Sequence, residues 1–332
     1  MANWTRREFL GATAGLAMLP LAEAGAAPKI PRRALGRTGM EVSILGLGGG
    51  SQFLSACKTD DEAIELLNTA IDGGINYLDC AWSYGNGECL RRYGLVAPKR
   101  RKEIYLTSKT QKRDRDEALR EFESSLKNLN TDHLDVMQIH LIQPDEDLDR
   151  LLAPDGVFQA FLKLKEQKVI RAVGITGHLA AVNMKTLVGR MEGLDTALFP
   201  VNPFRDSRHY LPARDPEEPN GHFEEILLPA AREKGLGIIG MKVFAQGQLV
   251  GEGPGKMSGA NLLRYAMSAP GISTCIAGPG SLAFLKENLK TAQGFVPMKA
   301  TERRKIAQAV SGLSHRFAYH DPEYRDTCSV LT

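Results

Sequence analysis

No stretch of the 332-residue chain reaches the roughly 20 consecutive apolar residues that a helix needs to cross a bilayer, so a soluble mature protein is expected. Charge of one sign is scarce as well: Lys and Arg number 42 against 39 Asp and Glu, a net of +3. Only Lys99, Arg100, Arg101 and Lys102 gather cations, and they read as a solvated turn rather than a nucleic-acid patch. Cysteine is sparse, with Cys57, Cys80, Cys89, Cys275 and Cys328 forming no CxxC pair, which speaks against a zinc knuckle or an iron–sulfur cluster. Their odd number also argues against a disulfide framework. Missing too is the glycine spacing of an open dinucleotide-binding sheet, because Gly46, Gly48, Gly49 and Gly50 in GLGGG do not match it, and no helix pattern opens directly on the last glycine with an acidic residue about 20 positions on.

What remains is ordinary for a globular enzyme: 43% hydrophobic and 24% charged residues, enough apolar surface for one large core. The first residues stand apart. TRREFLGATAGLAMLPLAEAGAAP joins two arginines, an apolar stretch and small residues, the three regions of a secretory signal. Arg6–Arg7 followed by Glu8, Phe9 and Leu10 resembles the twin-arginine class, with cleavage expected after Ala24 or Ala26. Residues 1–26 are therefore read as an address, the export machinery as a partner and the periplasm, or another exported location, as the destination. Signals of this class resemble those that carry proteins already folded around a cofactor.

From residue 42 onward apolar runs alternate with amphipathic stretches. The runs are Val42–Leu47, Ile75–Asp79, Ile104–Thr107, Leu134–Ile139, Ile170–Ile175, Thr196–Val201, Gly237–Val243 and Ser273–Ala277. Helical patterns with polar starts separate them, such as Asp60 before Ala63, Ile64, Leu66 and Leu67. Eight repeats of strand and helix require right-handed crossovers and favour closure into a (β/α)8 barrel over an open sheet. One such α/β domain is expected over 33–295, with a helical extension over 296–332 that includes Ile306, Val310 and Leu313.

In a parallel barrel the C-terminal strand ends converge on one face, where active sites lie. Asp79 ends the second run, Tyr84 follows it, Lys109 lies just past the third and His140 ends the fourth. Each alone has a plainer reading: a helix cap, a half-buried aromatic, a solvated cation, a core histidine. Together they are complementary. A tyrosine near pKa 10 is a poor acid until a neighbouring ammonium stabilises its phenolate. Asp79 would hold Lys109 charged, and His140 would align a carbonyl oxygen with Tyr84.

These segments resemble the aldo/keto reductases. INYLDCAWSYGNGE is similar to the family signature around its aspartate and tyrosine, LTSKT to the lysine strand and LDVMQIH to the histidine strand. LGRTGMEVSILGLGGG and PGISTCIAGPGSLAFLKENL also agree in order and spacing, so the likeness runs from about Arg33 to about Phe295. It implies hydride transfer between a nicotinamide and a small carbonyl or alcohol substrate, with Tyr84 handling the proton. It implies NADP as cofactor, with NAD open, because only Lys286 is basic between Gly278 and Glu287 to face a ribose phosphate.

The resemblance also supplies the expected cofactor contacts. MKVFAQGQLVG is similar to the segment along the pyrophosphate, which assigns Ala245, Gln246 and Gly247, with Lys242 either adding charge or simply solvated. Gly48 would lie close to the ligand. Gly278 and the pair Glu287–Asn288 resemble the adenosine end, the alternative for the pair being helix surface. Where the family has Ser–Asn for the carboxamide, this chain has Thr176–Gly177, and Leu198 stands in place of a glutamine, with Asn202 as a substitute. Trp82, Phe204 and Arg205 would wall the substrate, the last two from the proline-rich loop Asn202–Asn220, where Arg205 and Arg208 fit either a bound anion or plain surface charge. A different class of reading stays open: an exported nucleotide-binding regulatory or interaction protein with little turnover.

Overall fold

The computed structural model describes residues 29–178, 180–204 and 222–310. The expected leader, Arg205 with the rest of its loop, and the tail past Val310 lie outside the described residues. Strands β3 (Leu45–Gly48), β4 (Tyr77–Asp79), β5 (Tyr105–Thr110), β6 (Leu134–Ile139), β7 (Ile170–Thr176), β8 (Thr196–Pro200), β9 (Gly237–Met241) and β10 (Ile272–Ala277) form a closed barrel. Every neighbouring pair is parallel, and β10 closes on β3 through Cys275, Ile276 and Ala277. Helices lie between the strands, each turning an apolar stripe inward. In Asp60–Asp72 the stripe is Ala63, Leu66, Leu67, Ala70 and Ile71. Thr59 and Glu62 close a capping box at its start, and Asp114 caps Arg115–Leu129, which ends on left-handed Asn130.

Two boundaries differ from expectation. The run Val42–Leu47 is two elements: Glu41–Ser43 (β2) pairs antiparallel with Arg32–Ala34 (β1), and the chain then turns into β3. The reason is that the barrel has an open lower end to fill. Leu35, Met40 and Val42 of this hairpin plug it, packing on Tyr77, Val136, Ala172, Leu198, Ile239, Met241 and Ile276. Leu198, in the position of the family glutamine, is thus part of the interior packing. Lys109 lies inside β5, in register with Gln138 of β6, and not beyond a strand end.

Asn76 ties the plug to the barrel. Its Oδ1 accepts from the Ser43 amide at 2.7 Å, its Nδ2 donates to the Glu41 carbonyl at 2.9 Å, and its own amide donates to Ser43 Oγ at 3.0 Å. At the other end of the chain the helix Ala300–Val310 buries Ala307 and Val310 against the domain. Arg303 pairs with Glu224 at 2.7 Å and stacks 4.1 Å from the Tyr265 ring centroid, so this part of the extension is docked. Among the described residues no helix is long and apolar enough to cross a membrane. Asn76→Ala removes both side-chain bonds and leaves the buried Ser43 amide and the part-buried Glu41 carbonyl without these partners. Unfolding in urea should show a loss of about 1–3 kcal/mol, and an unchanged midpoint would contradict the clamp.

Candidate active site

Register alone brings the four predicted residues together. Asp79 ends β4, Lys109 points inward from β5, His140 follows β6, and Tyr84 sits in the turn after β4. Lys109 Nζ donates to Asp79 Oδ2 at 2.7 Å, to the Cys80 carbonyl at 2.7 Å and to Tyr84 Oη at 3.3 Å. Both members of the ion pair are only 1% exposed. Asp79 Oδ1 is held in turn by Thr107 Oγ1 at 3.2 Å and Gln138 Nε2 at 3.5 Å. The His140 ring stands edge-on to Tyr84, centroids 5.8 Å apart. Ser83 Oγ lies 3.4 Å from His140 Nδ1, and when the hydroxyl donates there the ring proton sits on Nε2. Burial, then the charges of Lys109 and Arg113, hold His140 well below its ordinary 6.5, so it is a neutral donor at pH 7.

The loops around this mouth carry strain. Asn86, Leu141, Lys242 and Ala245 are left-handed without being glycine. Such residues cost about 1–3 kcal/mol each and gather at functional sites. Thr176 fixes one of them, its Oγ1 accepting from the Leu141 amide at 3.1 Å. Trp82 is half-buried beside Tyr84, its ring 2.8 Å from where a Cβ on Gly87 would stand. Cys80 and Cys89 are joined by a disulfide that brackets the turn bearing Trp82, Ser83 and Tyr84. The odd number of cysteines argued against a disulfide framework, and this single bond between two buried residues of one short loop makes no framework. A Cβ on Gly49 would lie 2.3 Å from Cys89 Sγ, which explains a glycine there.

Sequence and structure comparisons agree with this geometry. The family description Aldo/keto reductase family matches residues 45–261, well over half of the chain. The chain belongs to the aldo/keto reductase family. It is similar to L-galactose dehydrogenase of Arabidopsis thaliana, 26% identical over 79% of this chain and 88% of that protein. An uncharacterised oxidoreductase of Bacillus subtilis is 31% identical over 44% of this chain and 48% of its own length. In fold it resembles an aldo-keto reductase of Bacillus halodurans in its holo form, with a TM-score of 0.69 at 24% identity over 86% of this chain and 99% of that one.

Aldo/keto reductases use NADP(H), and the far side of the mouth suits that cofactor. A Cβ on Gly48 would stand 3.3 Å from the Gly278 amide, and one on Gly278 would stand 3.1 Å from Gln52 Cβ, so both glycines keep a narrow cradle open. After Gly278 the chain enters the helix Leu282–Gln293, capped by Ser281, whose amide end favours phosphate. Ala245, Gln246 and Gly247 form a 3-10 turn, and the Gly247 backbone has open space before it. Asn288 faces inward at 5% exposure while Glu287 is on the outer side of the same helix.

Two of the expected contact residues also have structural partners. Asn202 is a structural clamp, its Oδ1 accepting from the Phe204 amide at 3.0 Å and its Nδ2 donating to the Lys242 carbonyl at 3.0 Å. Those bonds take one of the two Nδ2 protons and one Oδ1 lone pair and tie the exit of β8 to the loop after β9. Phe204 is 2% exposed and packs with Ala245, Leu249, Leu262 and Val310, so its ring supports the loop after β9. Sequence reading had missed Ser83, Thr107 and Gln138. For Ser83 the only available signal was its place beside Tyr84.

The depressed His140 has a consequence for stability. Unfolded, the ring takes a proton near 6.5; folded, it does so only well below that value. The unfolded state therefore binds more protons at lower pH, and stability falls as pH drops below 6.5, with a slope approaching about 1.4 kcal/mol per unit. Urea unfolding at about pH 7.5 and about pH 5.5 should show a smaller acid loss in His140→Asn than in the wild type. Equal losses would mean that His140 does not carry this linkage.

Proposed function

We propose that this aldo/keto reductase interconverts a small carbonyl compound and its alcohol, with Tyr84 giving and taking the oxygen-bound proton, and that it does so after export. The observation that carries the reading is a single ammonium, Lys109 Nζ, bonded at once to Asp79 and to Tyr84 Oη. A positive charge 3.3 Å from the phenol oxygen stabilises the phenolate that forms when Tyr84 releases its proton. Asp79 keeps that charge in place and oriented. His140, neutral and edge-on to Tyr84, donates Nε2–H to the same carbonyl oxygen and so fixes the oxygen toward the phenol. Bound NADP(H) supplies or receives the hydride. Gly48, Gly278 and the turn Ala245–Gly247 would hold its diphosphate, and Lys242 would add charge beside it.

Support for the exported location comes from the twin-arginine pattern at Arg6–Arg7. Changing Arg6 and Arg7 to Lys should leave the precursor in the cytoplasm on cell fractionation; undiminished export would refute the route.

Tyr84→Phe should lower kcat/KM by about 10²–10⁴ while the dissociation constant for NADPH, read by fluorescence, stays within a few-fold. Near-normal turnover in that variant removes Tyr84 from the proton path. A wild type that binds NADPH yet reduces no aldehyde, ketone or sugar would instead favour the nucleotide-binding role without turnover.

A further inference from the structure

At the end of the barrel opposite the catalytic mouth, a cleft of about 750 Å³ opens between the β1–β2 hairpin and the starts of β5, β6 and β7. Cations reach it from three separate parts of the chain: Arg32 from β1, Arg101 and Lys102 from the turn before β5, and Arg171 from the start of β7. Barrel closure alone gathers them. The cationic run Lys99–Lys102 is divided by the fold. Arg100 is engaged elsewhere, donating to Asp72 and Glu103 at 2.8 Å each, whereas Arg101 turns into the wall of the cleft.

The wall is built around one carboxylate. Asp135, 2% exposed, accepts from the Leu106 amide at 2.8 Å and pairs with Arg101 at 2.8 Å through one oxygen and with Arg171 at 3.1 Å through the other. Arg101 is fixed further by the Ile104 carbonyl at 3.0 Å, and the Arg171 guanidinium lies 5.5 Å from the Tyr105 ring centroid. Two guanidinium groups on one carboxylate leave an unbalanced positive charge. Glu103, the other acid of the cleft, is held by Arg100. Arg32 and Lys102 are exposed, and neither side chain has an ion-pair partner among the described residues. Like charges gathered on a concave surface repel one another and focus a field that draws anions. Elsewhere on this chain the pattern is different: Arg91, Arg113, Arg150 and Lys165 all lie on carboxylates.

We propose that this basal cleft is a second anion site, one that takes a phosphate monoester, with Arg32, Lys102 and the outer edge of Arg171 around the phosphate. Such a group carries a charge of about −1.5 to −2 at pH 7 and three acceptor oxygens, which suits three cations better than a carboxylate does. The ligand is not the reacting substrate. Tyr105 opens β5 and Lys109 lies toward its other end, about 13 Å away at about 3.3 Å per residue. The proposal is therefore independent of the role given to Tyr84.

Calorimetric titration of the NADPH-saturated enzyme with glycerol 3-phosphate tests it, since the nucleotide keeps the cofactor's own phosphate contacts filled. At constant ionic strength one site per chain should appear, with acetate binding at least about tenfold more weakly. Arg32→Gln and Lys102→Gln should each weaken glycerol 3-phosphate by about five- to tenfold, while Arg171 is left in place because Asp135 needs it. Near-ultraviolet circular dichroism verifies the fold, and Lys102→Gln decides if Arg32→Gln disturbs the hairpin. Co-sedimentation with phosphatidic acid vesicles, lost in the same variants, would make the natural source a lipid headgroup; binding of the free ester without vesicle capture would make it a soluble metabolite. Absence of saturable binding overturns the proposal. So do equal affinities for acetate and the ester, unchanged affinity in both variants, or displacement of the ester by further NADPH.

Discussion

A lysine and an aspartate, each 1% exposed and 2.7 Å apart, have to be kept ionised inside a protein. Desolvating two such charges costs several kcal/mol apiece, and their attraction offsets this only if the remaining donors and acceptors are satisfied. Here they are. Lys109 Nζ also reaches the Cys80 carbonyl and Tyr84 Oη, and Asp79 Oδ1 takes bonds from Thr107 and Gln138. Those partners come from β4, β5 and β6, whose side-by-side parallel pairing sets the register that makes the contacts possible. The barrel is thus the means by which a charge is kept next to a phenol.

Local features of the mouth follow from the same need. Tyr84 lies on a turn, and turns move. The Cys80–Cys89 bond closes that turn within nine residues, and Gly49 lets β3's exit pass against the sulfur. Below, the hairpin of β1 and β2 seals the barrel with Leu35, Met40 and Val42, so the ion pair is dry from that side. Above, left-handed Leu141 and Lys242 bend the β6 and β9 loops around the opening. The strain of those residues is tolerated because neighbouring contacts fix them: Thr176 Oγ1 bonds the Leu141 amide, and Asn202 Nδ2 bonds the Lys242 carbonyl.

What was legible in the sequence was whatever depends on period and order. Asp79, Tyr84, Lys109 and His140 follow apolar runs at regular intervals, and a parallel barrel turns such intervals into proximity. The runs themselves were read nearly to the residue at Leu134–Ile139, which is identical in the structure. Legibility failed where a contact joins elements without a periodic signal. The Val42–Leu47 run looks continuous because both the plug and the first barrel strand are apolar, although they face different neighbours. Asn202 was assigned to the cofactor by position and Phe204 to the substrate from its long loop, and neither signal carries the hydrogen bonding and burial that tie both residues to the β9 loop. Thr107 and Gln138 were invisible for the opposite reason, being unremarkable polar residues in strands, inward-facing only once the barrel closes.

His178 shows the limit most clearly. In the sequence it follows Thr176–Gly177, at a place where the family pattern was already broken, and a lone histidine there means little. In the structure Gly177 is small because Met184 occupies the outer layer, and that packing directs the next side chain to the mouth. The packing that requires a glycine at 177 is therefore also what leaves an imidazole at the next position with its ring centroid 6.5 Å from that of His140, a proximity set by the helix layer rather than by any pattern in the strand itself.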